Sequence, residues 1–238
     1  MISELNMDVL EYTKSQNQID TAFCSTNSEV AVKNIDFFLS TENPYLAATH
    51  AICEKLEDLN KQFKWIQSRN FIHSILSRVK TADSIVNKLQ RKGLELSLES
   101  ARQNLKDIAG VRVNCLYPDD IYLISEWLLS QKGIKLIRIS DYVKSPKPNG
   151  YRSLHLIITI PVFLSPKSEV VKVEIQIRTI AMDFWASHEH EIFYKRTNTK
   201  ATSASSELKD CADTIADVEK RMQRLFNLPI LSSRFYFL

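Results

Sequence analysis

Val171, Val173, Ile175 and Ile177 alternate with Lys172, Glu174, Gln176 and Arg178, a period of two that gives an extended strand one apolar face and one charged face. Such a strand needs a sheet beside it and a layer over its apolar side. Elsewhere the pattern is helical. After Asn43-Pro44, a good helix start, Ile52, Leu56, Leu59, Phe63 and Ile66 recur at spacings of four and three, which predicts one long amphipathic helix. Val111, Val113 and Cys115 alternate with Arg112, Asn114 and Leu116 and predict a second strand. A helix from Pro118 to near Gly133, strands at Ile134 to Ile139 and Tyr151 to Ile160, and a turn from Ser145 to Gly150 complete the centre of the chain. Four strands interleaved with helices imply an α+β or mixed α/β sheet.

The flanks read differently. Val30 to Leu39 predicts a short helix and the first 28 residues are polar, so 1–42 is expected to be an N-terminal appendage, helical and partly disordered. The central domain then runs over 43–196, closing with a helix from Thr179 to Tyr194 that has Phe184, Trp185 and Ile192 as core. Thr197 to Ser206 is low in complexity and reads as a linker, so 197–238 is expected to hold that linker and a C-terminal helix. Leu208, Cys211, Ile215, Val218, Met222 and Leu225 form a narrow apolar seam on this helix, suited to packing on the domain or to pairing with another subunit.

Composition removes several function classes. Lys and Arg total 31 against 28 acidic residues, and a net charge of +3 is too small to argue for nucleic acid or a membrane surface, so any basic site must be local. Four scattered cysteines form no Cys-x-x-Cys pair and suggest neither a disulfide framework nor a zinc site. His188 and His190, one residue apart, lack a zinc spacing and are read as helix surface or as support for other site residues. The opening residues lack the basic flank and apolar run of a secretory signal, and Leu154 to Leu164 is shorter than the roughly 18 residues of a membrane span, so a cytoplasmic protein is expected. With four glycines the chain contains neither Gly-x-x-x-x-Gly-Lys-Ser/Thr nor Gly-x-Gly-x-x-Gly. Phosphate would have to be held by side chains.

Such side chains occur in three clusters. Asp107, at the mouth of the Val111 strand, and Glu174 are carboxylates on segments predicted to be neighbouring strands, and magnesium takes one or two carboxylates together with phosphate oxygens and water. The segment from Lys144 to His155 joins a mobile cation, Lys147, to a tight Asn149-Gly150 turn and to Tyr151 and His155, expected on one face of the next strand, where the ring is a platform for a base. Arg78 precedes Lys80, Ser84 and Lys88, which at spacings of four are expected to share a helix face. With Arg112 and Arg178 they supply the several cations a triphosphate needs. A solvated sheet face, an ordinary hairpin and a solvated helix face are the plain structural alternatives for the three clusters.

Arg78-Val-Lys80, Asp107-Ile-Ala-Gly-Val-Arg112, Lys147-Pro-Asn-Gly-Tyr151-Arg-Ser-Leu-His155 and Val173-Glu174-Ile-Gln-Ile-Arg178-Thr, in this order and spacing, resemble the synthetase domain of the RelA/SpoT family over roughly residues 45 to 196. With no room left for a hydrolase domain or a regulatory half, the chain looks like a stand-alone small alarmone synthetase. The resemblance implies a nucleotidyltransferase-like mixed sheet flanked by helices, and transfer of pyrophosphate from ATP to the 3′-hydroxyl of GTP or GDP with release of AMP. It implies that Asp107 and Glu174 bind magnesium, with Glu174 taking the 3′-hydroxyl proton. Arg78 and Arg112 would sandwich adenine, with Lys80, Ser84, Lys88 and Arg178 serving the ATP phosphates. Tyr151 would stack on guanine while Lys147, Asn149 and His155 secure the acceptor. A homotetramer built through terminal helices is also implied. Ser140 in Arg138-Ile-Ser-Asp141 matches neither charge pattern linked to GTP or GDP preference in longer members, and His73 to Ser77 lack the phenylalanine and threonine of product-activated relatives. A toxin-type relative acting on adenine nucleotides or tRNA 3′-ends, and a non-catalytic nucleotide or RNA binding module, are the competing readings.

Overall fold

A computed structural model describes residues 27–41, 43–67, 69–164, 167–195 and 201–228. The N-terminal 26 residues, part of the appendage expected to be partly disordered, lie outside this set. Seven helices and five strands occur among the described residues: α1 (Ser28–Thr41), α2 (Pro44–Gln67), β1 (Ile72–Val79), α3 (Ala82–Arg91), α4 (Leu98–Asn104), β2 (Ala109–Cys115), α5 (Pro118–Ser130), β3 (Lys135–Asp141), β4 (Leu154–Leu164), β5 (Lys167–Thr179), α6 (Ile180–Lys195) and α7 (Ala201–Phe226). The fold is a mixed α/β arrangement.

The sheet runs in the order β1-β2-β5-β4-β3, with β2 and β5 parallel and every other pair antiparallel. A parallel pair needs a crossover, and β5 reaches the side of β2 only after the β3–β4 excursion. The alternating strand therefore lies at the centre. Val173, Ile175 and Ile177 are fully buried with Val111, Val113, Leu154, Leu156 and Ile158 on one face. Ile52, Leu56 and Leu59 of α2 belong to this core and are fully covered, each contributing about 1.5–3 kcal/mol of apolar burial. Ala31 and Ile35 of α1 are also buried in it.

Local chemistry sets the helix ends. Thr81 and Ser97 accept hydrogen bonds from the amides of Ser84 and Ser100, so each side chain caps a helix that would otherwise start with unpaired donors. Pro118 opens α5, whose Asp120 is buried against Arg69 at 2.6 and 2.9 Å. No helix among the described residues is long and apolar enough to cross a membrane.

Several expectations are corrected. The sheet has a fifth strand, β1, which the sequence reading passed over, and the short α4 was also missed. Strand β4 begins at Leu154, so Tyr151 belongs to the preceding loop. Residues 201–206 are helical and extend α7, so the expected linker ends earlier; 196–200 lie outside the described residues. Ile66 is exposed because α2 outruns the sheet it covers, and Phe184 is exposed because α6 turns Trp185 and Ala186 inward instead. On α7 the covered residues are Leu208, Ala212 and Glu219, while Val218, Met222 and Leu225 of the expected seam stay exposed.

Candidate active site

The sheet face opposite α2 carries the polar half of each alternation. Register brings Glu174 beside Gly110, Arg112 beside Gln176, and Arg78 of β1 beside Gly110 from the other side. A cavity of about 250 Å³ opens there, lined by Leu76, Arg78, Gly110, Arg112, Glu174 and Gln176 among others. Gly110 keeps the floor low: a Cβ at this position would meet the Arg78 side chain at 3.7 Å. Two arginines and one carboxylate, from three adjacent strands, thus share one opening.

Asp107 sits two residues before β2, beneath α3. Lys88 Nζ donates to Asp107 Oδ2 at 2.5 Å and Lys80 Nζ lies 3.3 Å from the same oxygen. Lys80 is not on the helix as expected; it precedes the cap residue Thr81, yet it meets Lys88 at a common carboxylate. Burial alone would raise the Asp107 carboxyl, but the Lys88 hydrogen bond and the two ammonium charges outweigh it and hold the group below its ordinary value. Asp107 Oδ1 is buried and makes no hydrogen bond. Ser84 is exposed, with its hydroxyl accepting from Thr81 within the cap.

Glu174 faces His155 across the β4–β5 pair, with Oε1 3.4 Å from Nδ1, and accepts from Gln176 Nε2 at 3.0 Å. Burial pushes its pKa up; His155 and Gln176 more than offset this, and the net shift is downward. The Asp107 charge opposes that shift, so the two acids lie within electrostatic reach of each other. Tyr151 joins the same chain from its loop: Arg178 Nη2 donates to its hydroxyl at 2.7 Å, leaving the hydroxyl to donate to His155 Nε2 at 2.8 Å. That directs the imidazole proton at Nδ1 toward Glu174. Tyr151 is half-buried, Tyr142 stands edge-on to both rings, and the exposed Lys147 lies 4.8 and 4.6 Å from the ring centres of Tyr142 and Tyr151. Asn149 spends its amide on Glu189 and its carbonyl oxygen on the Tyr151 N–H, which makes it a lock on the loop.

Sequence reasoning missed Asp183. Its Oδ1 lies 3.3 Å from Arg112 and 3.0 Å from Arg178, and its Oδ2 accepts from Asn114 at 3.1 Å. One carboxylate on α6 therefore fixes two arginines that would otherwise repel. Burial lowers the Arg112 pKa, the Arg178 charge lowers it further, and Asp183 works against both. Its partners lie on β2 and β5, so no spacing pattern within α6 points to it. No group of three or more candidate metal-ligating side chains occurs among the described residues.

Fold and site together define a nucleotidyltransferase-like mixed sheet with an acid and base lined cavity on its open face. The pattern described as "Region found in RelA / SpoT proteins" matches residues 77–199. The chain belongs to the RelA/SpoT family. It is 44% identical over 178 residues to GTP pyrophosphokinase YwaC of Bacillus subtilis (strain 168), covering 75% of this chain and 85% of that protein. The crystal structure of small alarmone synthetase 1 from Bacillus subtilis bound to its product pppGpp superposes with a TM-score of 0.73 at 30% identity, covering 82% of this chain and 97% of the other. Small alarmone synthetase 2 from the same organism gives 0.69 at 42% identity, with 76% and 94% covered.

Proposed function

We propose that the open sheet face transfers a pyrophosphoryl group from ATP to the 3′-hydroxyl of GTP or GDP, so that the chain is a GTP pyrophosphokinase that makes alarmones and releases AMP. What supports this most is the single cavity in which Arg78, Arg112 and Glu174 meet, beside a Tyr151 ring tied to the same Glu174 through His155. Arg78 and Arg112 hold the adenine from two sides, while Lys80, Lys88 and Arg178 take the phosphates of ATP. The mobile Lys147, with His155, serves the acceptor's phosphates, and Tyr151 stacks on guanine. Ser84 and Asn149 act through the cap of α3 and the shape of the acceptor loop.

Glu174 accepts the proton as the 3′-oxygen attacks the β-phosphorus in line, and its depressed pKa keeps it ionised for that task. His155, hydrogen-bonded on both nitrogens, fixes the carboxylate's direction. The arginines offset charge gathering on the phosphoryl oxygens. Asp107 and Glu174 fit magnesium: two acids in electrostatic reach, one with a buried oxygen lacking any donor, match an ion that completes its shell with phosphate oxygens and water. When bound, that ion supplies further charge neutralisation on the transferring group. The exposed Val218, Met222 and Leu225 of α7 support assembly into a homo-oligomer, which sedimentation of the purified chain would measure.

The test is AMP release from ATP and magnesium in the presence of GDP, GTP, ATP or tRNA. Guanine-dependent AMP release is the expected result. Transfer to adenine nucleotides or tRNA alone, or nucleotide binding without AMP, would overturn the assignment.

A further inference from the structure

We infer that α7 is part of the acceptor site, and that Arg152 and Asp213 are positioning residues joining this helix to the acceptor loop. The inference builds on the reading of Lys147 to Tyr151 as the loop that receives the guanine nucleotide, and it concerns a residue that reading leaves without a role.

Arg152 directly follows the stacking tyrosine but turns away from the cavity. Its Nη1 donates to Gly150 O at 3.0 Å and to Ala212 O at 3.2 Å, and its Nη2 donates to Asp213 Oδ1 at 2.8 Å. One planar guanidinium thus clamps the backbone of the loop to a helix sixty residues further along the chain.

Contact at the clamp is close. A Cβ on Gly150 would come within 2.7 Å of Ala212 Cβ and 3.3 Å of Lys209 Cα, so the loop backbone lies directly on α7. Gly150 has φ +93, a conformation glycine adopts without strain, and its amide closes a turn onto Lys147 O at 2.8 Å. That turn also carries the bond from Lys147 N–H to Tyr151 O at 3.1 Å. Lys147 and Tyr151 are therefore set by a loop whose outer wall is α7.

The helix is itself anchored at both ends. Trp185 Nε1 donates to Leu208 O at 2.7 Å near its start, and Phe226 stacks on Tyr117 at 4.4 Å at its finish, next to the bond from Asp119 N–H to Gln223. A helix held at two distant points makes a firm backstop for a loop whose other ties are two backbone turn bonds and the hydrogen bonds of Asn149. The loop's precision comes from a segment outside the four motifs that carry the chemistry.

The experiment compares the full chain with Asp213→Ala, Asp213→Asn and, as a control on the same helix, Asp217→Ala. Asp213 is half-exposed and remote from the cavity, so its removal leaves the core intact. For Asp213→Ala the expected result is an acceptor KM raised about twofold to tenfold, with kcat and the KM for ATP changed by less than about twofold. Asp213→Asn, which keeps an oxygen acceptor for Arg152, should recover most of the loss. Amide hydrogen exchange over residues 145–152 should quicken in Asp213→Ala and match the native rate in Asp217→Ala. An unchanged acceptor KM with unchanged exchange would overturn the inference, as would equal losses for both substrates with a lowered melting temperature, the mark of a purely structural contact. If the native chain releases no AMP with any guanine acceptor, the catalytic reading fails by itself, and the exchange comparison still decides whether α7 holds the loop.

Discussion

Replacing Asp183 by Asn keeps the shape of the side chain and removes its charge, which isolates what one carboxylate does for two arginines. Arg178 is buried, with its Nη1 3.0 Å from Asp183 Oδ1, and Arg112 reaches the same oxygen at 3.3 Å. Stripping the partner from a fully buried pair costs about 3–5 kcal/mol. Here the side chains of Asp183 and Arg112 retain 19% and 34% of their accessibility, so water screens part of the loss. A cost of about 2 kcal/mol follows, which for a chain of this size lowers the melting temperature by about 4–8 °C. Arg112 lines the nucleotide cavity, and a bound triphosphate supplies the countercharge the variant lacks. In thermal melts the deficit should therefore shrink to less than about half at saturating ATP. A deficit of equal size with and without ATP would show that Asp183 is only a structural tie, and no deficit at all would refute the electrostatic argument.

Glu174→Gln and Asp107→Asn should each reduce AMP release by about 100-fold or more, since on the proposed mechanism one loses the proton acceptor and both lose a metal-binding charge; activity within a few-fold of native would remove that residue from the mechanism. Tyr151→Ala should raise the acceptor KM by about tenfold, the effect of one lost base stack, with a smaller change in the KM for ATP, and steady-state kinetics with each substrate varied in turn would show it. Glu219 is buried on α7 with one oxygen unpaired; burial raises its pKa, and the Thr179 hydroxyl and the Arg152 charge only partly oppose this. Because the folded value exceeds the ordinary 4.5, the ionised form disfavours folding above the folded value, and the penalty vanishes as pH falls below 4.5. Glu219→Gln should therefore melt higher than the native chain at pH 8, with the gap closing toward pH 4; a gap independent of pH would contradict this.

Those elements were legible whose local pattern coincides with what tertiary packing demands. Strand β5 alternates because one of its faces lies on α2, and α5 is bracketed by Pro118 and by Gly133 at φ +89. Strand β1 was not legible, because His73 to Val79 mixes polar and apolar residues without alternation and a bulge between Ile72 and Ser74 shifts its register. Losing β1 also misplaced Lys80, which read as helical only because its spacing from Ser84 and Lys88 was taken without the strand that ends just before it. The four motifs were visible as chemistry, and the sheet order then brings Arg78, Arg112 and Glu174 to one cavity. Asp183 and Arg152 were beyond reach for another reason. Each acts through partners on other elements, and spacing along the chain carries no trace of such contacts.

The charges of the site explain why a chain with little net charge can still hold a polyphosphate. Every cation proposed for the ATP phosphates is already matched by an acid: Lys80 and Lys88 by Asp107, Arg178 by Asp183, which also holds Arg112. The pairs keep like charges together without a neighbouring basic surface, so nucleotide binding is an exchange of partners and not a first neutralisation. Such an exchange is less costly than desolvating free cations, because the groups are oriented in advance. It also frees the carboxylate: when Lys80 and Lys88 turn toward phosphate, Asp107 loses the two charges that hold its pKa down, and burial is left to raise it. On the proposed mechanism, a divalent cation held by Asp107 and Glu174 would restore the lost countercharge. Asp107, with its buried, unpaired oxygen, is thus the carboxylate whose charge balance such an ion would serve most.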